Sequence, residues 1–274
     1  MAAFDILSAG GMSPFLWDKQ AHITVYDTLE STNKTAKALA MAGAPHGTVL
    51  VADRQTGGKG RFGRSFFSPA GHGIYMSVIL RPSHHGGSPA PTDFTTYAAV
   101  CVCQTIEMLT GKTPKIKWVN DIFLDGKKIC GILTEAVTDV ESGHMPWVVV
   151  GIGINFSTPT GGFPPEINQV AGAVFDRDTP TVTKNCLAAE VINRIMDFES
   201  RCGTEATLNE YRKRLMMLGQ KVLVTGVKTP FEATALGIDE AGRLLVKTES
   251  GQVLPLCAGE VSVRTPINHV SNSN

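Results

Sequence analysis

Residues 55–64 read QTGGKGRFGR and lie between two apolar runs, 48–53 and 73–80, that are typical of strands. The loop satisfies the pattern G-x-G-x-x-G, but a dinucleotide-binding fold, like a Walker A loop, places a helix directly after its glycines. Here the glycines are followed by residues 66–73, FFSPAGHG, in which proline and glycine prevent a helix from starting. The order strand, basic loop, strand therefore excludes both nucleotide-binding folds.

The loop itself combines backbone freedom with positive charge. It holds four glycines and the cations Lys59, Arg61 and Arg64, and no Asp or Glu occurs from residue 54 to residue 92. Glycine lets another group approach the backbone closely, and the cations can stabilise negative charge. The pattern predicts a loop that closes over an anionic ligand, and a surface loop with solvated cations is the simpler alternative.

Composition indicates an ordinary globular protein whose positive charge is local. The 274 residues carry 25 basic and 25 acidic side chains, and the length predicts one or two domains. The six cysteines form no C-x-x-C pair, which argues against structural zinc and disulfides and favours a reducing compartment. Without a signal-like N-terminus or a run of about 18 apolar residues, we expect a cytoplasmic protein that does not span a membrane.

Periodicity divides the chain into four parts. They are a loosely ordered segment at 1–20, a large mixed domain at 21–218, a β-rich domain at 219–266 and a tail at 267–274. In the large domain, strands are accompanied by helices that Thr92 and Thr183 are expected to cap. After Gly219, short β-segments separated by turns predict a small barrel.

The triplet Ser31-Thr32-Asn33 precedes a run in which Ala and Leu recur at helical spacing. Its simplest role is to cap that helix, because Ser and Thr are favoured N-cap residues. The other interpretation is that its hydroxyls and amide also face a ligand at the helix N-terminus.

Two features mark the middle of the chain. The Asp-Gly pair at 125–126 predicts a hairpin turn, and the alternation of the strand that follows sends Lys127 and Lys128 to opposite faces. Further on, Gly151 and Gly153 interrupt an apolar strand. Glycine inside a strand marks either a close approach to the backbone, or a bulge or crowded core.

Taken together, four motifs in this order resemble those of the biotin protein ligases, and the resemblance covers roughly residues 22–264. The motifs are STN at 31–33, QTGGKGRFGR at 55–64, KWVND at 117–121 with KKICG at 127–131, and GIGIN at 151–155. The resemblance implies an α+β fold with a mixed, mainly antiparallel central sheet flanked by helices, as in class II aminoacyl-tRNA synthetases and biotin synthetases. It implies that 21–218 is the catalytic domain and that 219–266 is a small SH3-like β-barrel.

The resemblance also implies an ATP-dependent ligase that acts in two steps. The biotin carboxylate attacks the α-phosphate of ATP, giving biotinyl-5′-AMP and pyrophosphate, and a lysine of a biotin carboxyl carrier domain then attacks the mixed anhydride. Mg²⁺ on the phosphates and a biotin-dependent carboxylase, such as acetyl-CoA carboxylase, are implied as cofactor and partner. About 20 residues precede the first predicted strand, so we expect neither a DNA-binding domain nor DNA as a partner. A homodimer and the identity of the carboxylase stay open.

Matching positions carry the family roles to individual residues. The implied catalytic residues are Lys128 and Arg61. The implied biotin-binding residues are Ser31, Thr32, Asn33, Gln55, Lys59, Gly60, Arg61, Lys128 and Gly131. The implied nucleotide-binding residues are Lys59, Arg61, Asn120, Asp121, Lys128 and Asn155, and Asp121 is also the candidate metal ligand.

Two positions depart from the family pattern, and two other functions stay open. Val119 stands where proline is common, which alters backbone stiffness, and Lys59 stands where arginine is common, which keeps the charge but loses the planar fork. A lipoate or octanoate ligase or transferase would share the same core fold, but the basic loop and the β-rich C-terminal segment argue against it. A non-catalytic sensor of biotin or nucleotide would not need Arg61 and Lys128.

Overall fold

The computed structural model describes residues 5–18, 21–83, 90–138, 145–176, 178–257 and 260–263. The chain forms two compact units that meet in sequence between Arg214 and Leu215. The predicted tail at 267–274 lies outside the described residues.

The bounds of the elements are as follows. The helices are α1 (Ala9–Met12), α2 (Thr32–Met41), α3 (Pro91–Thr110), α4 (Lys184–Met196), α5 (Phe198–Arg201) and α6 (Glu205–Arg214). The strands of the first unit are β1 (Ile23–Leu29), β2 (Thr48–Gln55), β3 (Gly73–Leu80), β4 (Lys115–Lys117), β5 (Asp121–Leu124), β6 (Lys127–Val137) and β7 (Trp147–Asn155). Those of the second unit are β8 (Lys221–Thr225), β9 (Phe231–Ile238), β10 (Leu244–Thr248), β11 (Val253–Leu256) and β12 (Glu260–Val263).

The strands of the first unit form a seven-stranded sheet in the order β1-β2-β3-β7-β6-β5-β4. β1 and β2 run parallel, and the other described pairs run antiparallel. The second unit is a five-stranded antiparallel sheet in the order β11-β10-β9-β8-β12. The predicted α+β class, with a mainly antiparallel sheet, flanking helices and a small C-terminal β domain, is confirmed.

The hairpin between β5 and β6 has the turn that its sequence predicts. Asp125 and Gly126 have φ angles of 49° and 75°, and two consecutive positive values are what a type I′ turn requires. This turn fixes the start of β6, and the register between β5 and β6 then shifts between Ile122 and Phe123.

Helices cover both faces of the large sheet, and the side chains of β6, which point alternately to opposite sides, show which helix lies on which face. On one face, Thr95 of α3 donates a hydrogen bond from its hydroxyl to the Thr134 hydroxyl at 2.8 Å. On the other, the Glu135 carboxylate accepts hydrogen bonds from Asn33 and Lys37 of α2 at 2.9 and 2.7 Å. α2 therefore lies on one face, and α3, with α4 packed against it, lies on the other.

On the α2 face, three glycines lie close together on the adjacent central strands β6 and β7. Gly131 of β6 lies directly opposite Gly153 of β7, and Gly151 lies on the same face of β7. The register is regular on both sides of the two β7 glycines, so they do not form a bulge. A Cβ atom at Gly151 would lie 1.9 Å from Asn33 Oδ1, and one at Gly153 would lie 2.6 Å from the Phe66 ring. We call these three glycines the glycine floor; they permit close approach to the backbone, as one of the two predicted readings required.

The described part of the N-terminal segment, residues 5–18, is packed onto the first unit, contrary to the expectation that it is loosely ordered. Met12 is fully buried. Two asparagines of α4 hold the segment's backbone: Asn185 Oδ1 accepts from the Ser8 N–H at 3.0 Å, and Asn193 Oδ1 accepts from the Trp17 N–H at 2.9 Å. The sequence conceals this packing because the segment is rich in Gly, Ala and Ser and shows no clear periodicity, while its partners lie far along the chain.

We expect Met12→Ala to lower the free energy of unfolding by about 2–5 kcal/mol, because it removes apolar contacts and leaves a cavity. Ile6→Ala is the matched control, since Ile6 belongs to the same segment but is 72% exposed. Urea unfolding followed by circular dichroism measures both variants. Equal, small losses in the two would show that the segment lies outside the cooperative core.

Two general properties of the described residues concern membrane crossing and the state of the cysteines. Among the described helices, none has both the length and the apolar character that a membrane crossing demands. None of the six cysteines is bonded to another. Burial raises the pKa of the Cys101 thiol to about 12 and that of the Cys130 thiol well above its ordinary value, so both thiols stay protonated.

Candidate active site

The basic loop folds into a narrow hairpin. Its arms, 58–60 and 64–66, are joined by backbone hydrogen bonds of 2.7 and 2.9 Å. At the tip, Phe62 adopts a φ of 56° and is 57% exposed, and the Arg61 guanidinium carbon lies 4.9 Å from the centre of its ring. This contact places the Arg61 side chain against the exposed ring at the tip of the loop.

Gln55 joins the base of the loop to α2. Because β1 and β2 run parallel, the segments that follow them start at the same edge of the sheet. Gln55 Oε1 accepts hydrogen bonds from the backbone N–H of Thr32 at 2.8 Å and from its hydroxyl at 3.2 Å. Gln55 Nε2 donates to Ser68 Oγ at 3.1 Å, and Ser68 donates to the carbonyl of Phe66. A backbone N–H can only donate, so the orientation of the Gln55 amide is determined.

Behind Thr32, a series of hydrogen-bonded polar groups runs over the α2 face of the sheet from β3 to β6. The hydroxyl oxygen of Ser77, which is fully buried, lies 2.8 Å from Thr32 Oγ1 and 2.6 Å from Asn33 Oδ1. Asn33 Nδ2 donates to the Leu133 carbonyl at 3.0 Å and to the Glu135 carboxylate at 2.9 Å. Both ends of the Asn33 amide are thus engaged inside the protein, where they support Thr32.

Ser31 is the N-cap of α2, which agrees with the simpler prediction that the triplet caps this helix. Its Oγ accepts from the backbone N–H of Lys34 at 3.4 Å, and the residue is only 2% exposed. Accepting this bond leaves the hydroxyl proton of Ser31 for a different acceptor.

The strands β5 and β6 supply the second half of the site. Lys128 Nζ lies 2.6 Å from Asp121 Oδ1 and 5.9 Å from the centre of the Phe66 ring. It also lies beside the glycine floor, since a Cβ atom at Gly131 would be 3.4 Å from it. The neighbouring Lys127 donates to main-chain carbonyls of another segment. The two lysines therefore point apart, as the strand alternation predicts.

Arg61 connects the loop to the turn between β4 and β5. Its guanidinium donates to Asn120 Oδ1 at 3.2 Å, and Asn120 Nδ2 donates to the Ile132 carbonyl at 2.9 Å. The hydroxyl of Tyr211 donates to the Val119 carbonyl at 2.9 Å, and burial raises the pKa of this phenol well above its ordinary value. Tyr211 therefore keeps its proton and fixes the turn that Arg61 contacts.

The loop residues Lys59 and Gly60 lie at the margin of these contacts. Lys59 is exposed, and its charge adds to that of Lys34, the main cause, in lowering the pKa of the Glu30 carboxyl. Gly60 contributes its backbone to the hairpin, and a Cβ atom there would make only ordinary contacts. The exposed Lys59 side chain is therefore not held against the described part of the protein in the way that Gln55 is.

The sequence assigns Asn155 and Asp121 to the nucleotide and its metal. Asn155 Nδ2 donates to the carbonyls of Gly172 at 2.8 Å and of Lys128 at 3.4 Å, so it ties the segment around 172 to the start of β6. In the described part of the chain, no group of three or more His, Cys, Asp or Glu side chains could hold a metal ion. Magnesium carried by nucleotide phosphates takes most of its ligands from phosphate and water, so the single carboxylate of Asp121 fits that role.

Sequence reasoning missed the groups that support the site from within. Ser77 did give a signal, because a hydroxyl in an otherwise apolar buried strand requires a partner. Ser68 and Glu135 gave none, since their neighbours in the chain resemble ordinary loop and strand-end residues. Their roles depend on contacts with residues far away in sequence.

Known proteins match this chain across both units. Residues 25–155 match the Biotin/lipoate A/B protein ligase family, and residues 217–264 match the Biotin protein ligase C terminal domain. The bifunctional ligase/repressor BirA of Bacillus spizizenii is 35% identical over 84% of this chain and 70% of its own length. The biotin–[acetyl-CoA-carboxylase] ligase of Paracoccus denitrificans is 30% identical over 82% of this chain and 95% of its own length.

A solved structure agrees with these matches. The biotin protein ligase from Aquifex aeolicus, determined in complex with biotin and ATP, is 26% identical to this chain. The two superpose with a TM-score of 0.70 over 89% of this chain and 98% of the other. With the motifs, the fold and these relatives in agreement, the chain belongs to the biotin protein ligase family.

Proposed function

We propose that the chain activates biotin with ATP as biotinyl-5′-AMP and transfers the biotin to a lysine of a biotin carboxyl carrier domain. The observation that carries this proposal is that Phe66 contacts two kinds of binding group, the polar groups around Gln55 and the cation Lys128. Its carbonyl is hydrogen-bonded to the Ser68 hydroxyl that Gln55 contacts, and its ring lies over the glycine floor, 5.9 Å from Lys128 Nζ. A polar, uncharged recognition site therefore lies beside a site for anions.

The polar half has donors and acceptors that suit the ureido group of biotin, which offers one carbonyl oxygen and two N–H groups. Ser31 retains its hydroxyl proton, and Gln55 Nε2 has a second proton beyond the one given to Ser68. The Thr32 proton is taken by either Gln55 or Ser77, so Thr32 offers only lone pairs. Two donors and one acceptor thus meet a group of complementary polarity.

The cations of the site offset the electrostatic repulsion between the two reactants of the first step. The biotin carboxylate and the α-phosphate are both anionic, and cations placed beside them stabilise the charge that they share in the transition state. Lys128, which is ion-paired with Asp121, and Arg61, which donates to Asn120, supply that charge from the protein. Magnesium, when bound, would neutralise further charge on the phosphates.

The remaining predicted residues take supporting places in this proposal. The backbone of Lys59 and Gly60 lines the aliphatic chain of biotin, with the Lys59 charge near the phosphates. Asn33 positions Thr32, and Asn155 positions the segment beside Lys128. The basic loop keeps water from the mixed anhydride until the carrier lysine attacks it.

Exchange of labelled pyrophosphate into ATP tests the first step, with biotin, lipoate and octanoate supplied in turn. We expect exchange with biotin only, and incorporation of labelled biotin into a carrier domain in the second step. Exchange with lipoate but not biotin would replace this proposal with a lipoate ligase. Biotin binding with neither exchange nor incorporation would indicate a sensor.

We expect Arg61→Ala to form biotinyl-5′-AMP but to release it on the order of tenfold faster, because a hydrogen bond to a charged group contributes about 1.5–3 kcal/mol. Release of the labelled adenylate after rapid dilution measures the effect. Biotin should also appear on lysines of an unrelated protein such as albumin. Arg61→Lys keeps the charge but loses the planar fork of donors, so its rate of adenylate release should lie between those of the unaltered protein and Arg61→Ala. Retention equal to the unaltered protein would contradict the assigned role.

A further inference from the structure

The connection between β2 and β3, residues 56–72, contains the basic loop from Thr56 onward, and a buried lysine of α4 contacts residues beside both of its ends. The Lys184 side chain is 5% exposed, and its Nζ lies 3.2 Å from Asp53 Oδ1 and donates to the Gly71 carbonyl at 3.1 Å. Asp53 Oδ2 in turn accepts from the Gly71 N–H at 2.9 Å. We call Lys184, Asp53 and Gly71 the base clamp.

We propose that Lys184 is a positioning residue for biotin activation, which holds the basic loop in the geometry that retains the adenylate. This inference rests on the proposed function. It assigns to the first residue of α4 a part in a site that α4 does not touch directly.

Contacts within the connection couple the base clamp to the hairpin of the basic loop. The backbone N–H of Gln55 donates to the carbonyl of Ser68 at 3.2 Å. A Cβ atom at Gly58 would lie 2.6 Å from the Phe66 carbonyl oxygen and 2.8 Å from Ser68 Oγ, so the outgoing arm is pressed against the returning one. If the ends of the connection separate, this packing must shift, and the cations at the tip shift with it.

A lysine at position 184 is unfavourable for stability in two respects, which indicates that its role is to hold the loop in a defined position. A cation at the first turn of a helix is opposed by the helix dipole. Burial of an ion pair also carries a desolvation penalty that an apolar pair of similar volume would avoid. The backbone of Lys184 is itself fixed, because Asp5 accepts a hydrogen bond from its N–H and another from Asn185 Nδ2 at 2.9 Å. Such a locally unfavourable residue is expected where function needs a defined position.

A second support should let a variant without the clamp still fold. The Tyr75 hydroxyl donates to the Pro69 carbonyl at 3.1 Å, independently of Lys184. Burial, with a contribution from the Asp53 charge, raises the pKa of Tyr75 above its ordinary value, so the phenol keeps this proton. The returning arm therefore stays near β3 when the clamp is lost, but with one fewer constraint.

The experiment compares Lys184→Met with Lys184→Arg and with Arg81→Met. Arg81 is a matched control, because its side chain also donates to main-chain carbonyls, but at the far end of β3. We expect Lys184→Met to release biotinyl-5′-AMP on the order of tenfold faster and to raise KM for biotin, as small misplacements do. The exchange rate at saturating biotin should change by less than about twofold, and Lys184→Arg should restore retention in part. Arg81→Met should lose stability only.

Trypsin cleavage after Lys59 and Arg61 gives a readout that needs no ligand, and Lys184→Met should accelerate it while Arg81→Met should not. If Lys184→Met does not fold, Asp53→Asn tests the same clamp with a change of one atom. Loss of stability with unchanged adenylate release and unchanged cleavage would overturn the inference. Absence of exchange in the unaltered protein would overturn the proposed function instead, so the two failures are distinguishable.

Discussion

Replacing Lys128 with methionine should lower the rate of biotin-dependent ATP–pyrophosphate exchange by about 10²–10³-fold, the usual loss when a preorganised group is removed from developing charge. Lys128 Nζ lies beside the glycine floor, and the Asp121 carboxylate 2.6 Å away forms an ion pair with it. Methionine keeps the length of the side chain but removes the charge. Biotin affinity, measured by calorimetry without ATP, should fall far less than the exchange rate.

Lys127→Met is the control that the hairpin provides. Lys127 is adjacent in sequence but lies on the other side of β6, where Nζ donates to the carbonyls of Asn168 and Gln169 at 3.2 and 2.6 Å. It should retain most of the exchange activity. Equal losses in both variants would show that Lys128 acts only through general charge, and the assignment of a catalytic role to it would then be wrong.

Replacing Gly151 with alanine should raise KM for biotin by about a hundredfold, since displacement by 1 Å has effects of that order. The added Cβ would lie 1.9 Å from Asn33 Oδ1. β7 is paired on both sides at this point, so its backbone cannot move away. Asn33 must move instead, and it would break its bonds to Ser77, Leu133 and Glu135. Overpacking of this kind should also lower the free energy of unfolding by about 1–3 kcal/mol.

Gly237→Ala is the matched control, because Gly237 also lies in a strand but a Cβ atom there would meet nothing within 4 Å. Its KM for biotin and its unfolding free energy should match those of the unaltered protein. Steady-state kinetics and urea unfolding measure both variants. An unchanged KM in Gly151→Ala would mean that Asn33 does not position Thr32 for the ligand.

Local patterns predicted the elements that depend on near neighbours in sequence. The run at 73–80 became β3 with those bounds, and the Asp-Gly turn at 125–126 formed as expected. Of the two predicted caps, Thr183 accepts from the Cys186 N–H as the N-cap of α4, whereas α3 already begins at Pro91, so Thr92 lies inside that helix. The fold class and the family were also confirmed, because the motif order is specific even though each motif is weak alone.

What the sequence could not predict is which groups face the ligand and which support those that do. Asn33 and Asn155 have the chemistry of ligand-binding residues, yet their amide nitrogens donate to carbonyls of the protein itself. Lys184 reads as an ordinary residue at a helix start, but it is buried against the ends of the loop. Each of these outcomes depends on partners more than 15 residues away, and periodicity carries no information about such pairs. The individual site roles therefore stay proposals.

The docking of the N-terminal segment on α4 also sets an order of events during synthesis. Ser8 and Trp17 reach their asparagine partners across 177 and 176 residues. At about 5–20 residues per second, roughly 10–35 s separate their emergence from the ribosome. During that interval α4 has not yet been made, so the Met12 side chain stays exposed to solvent in the nascent chain. Because the entropy of closing a loop grows only slowly with its length, this separation weighs on the rate of maturation more than on the final stability. The described segment 5–18 can therefore reach its final packing only after α4 has been made.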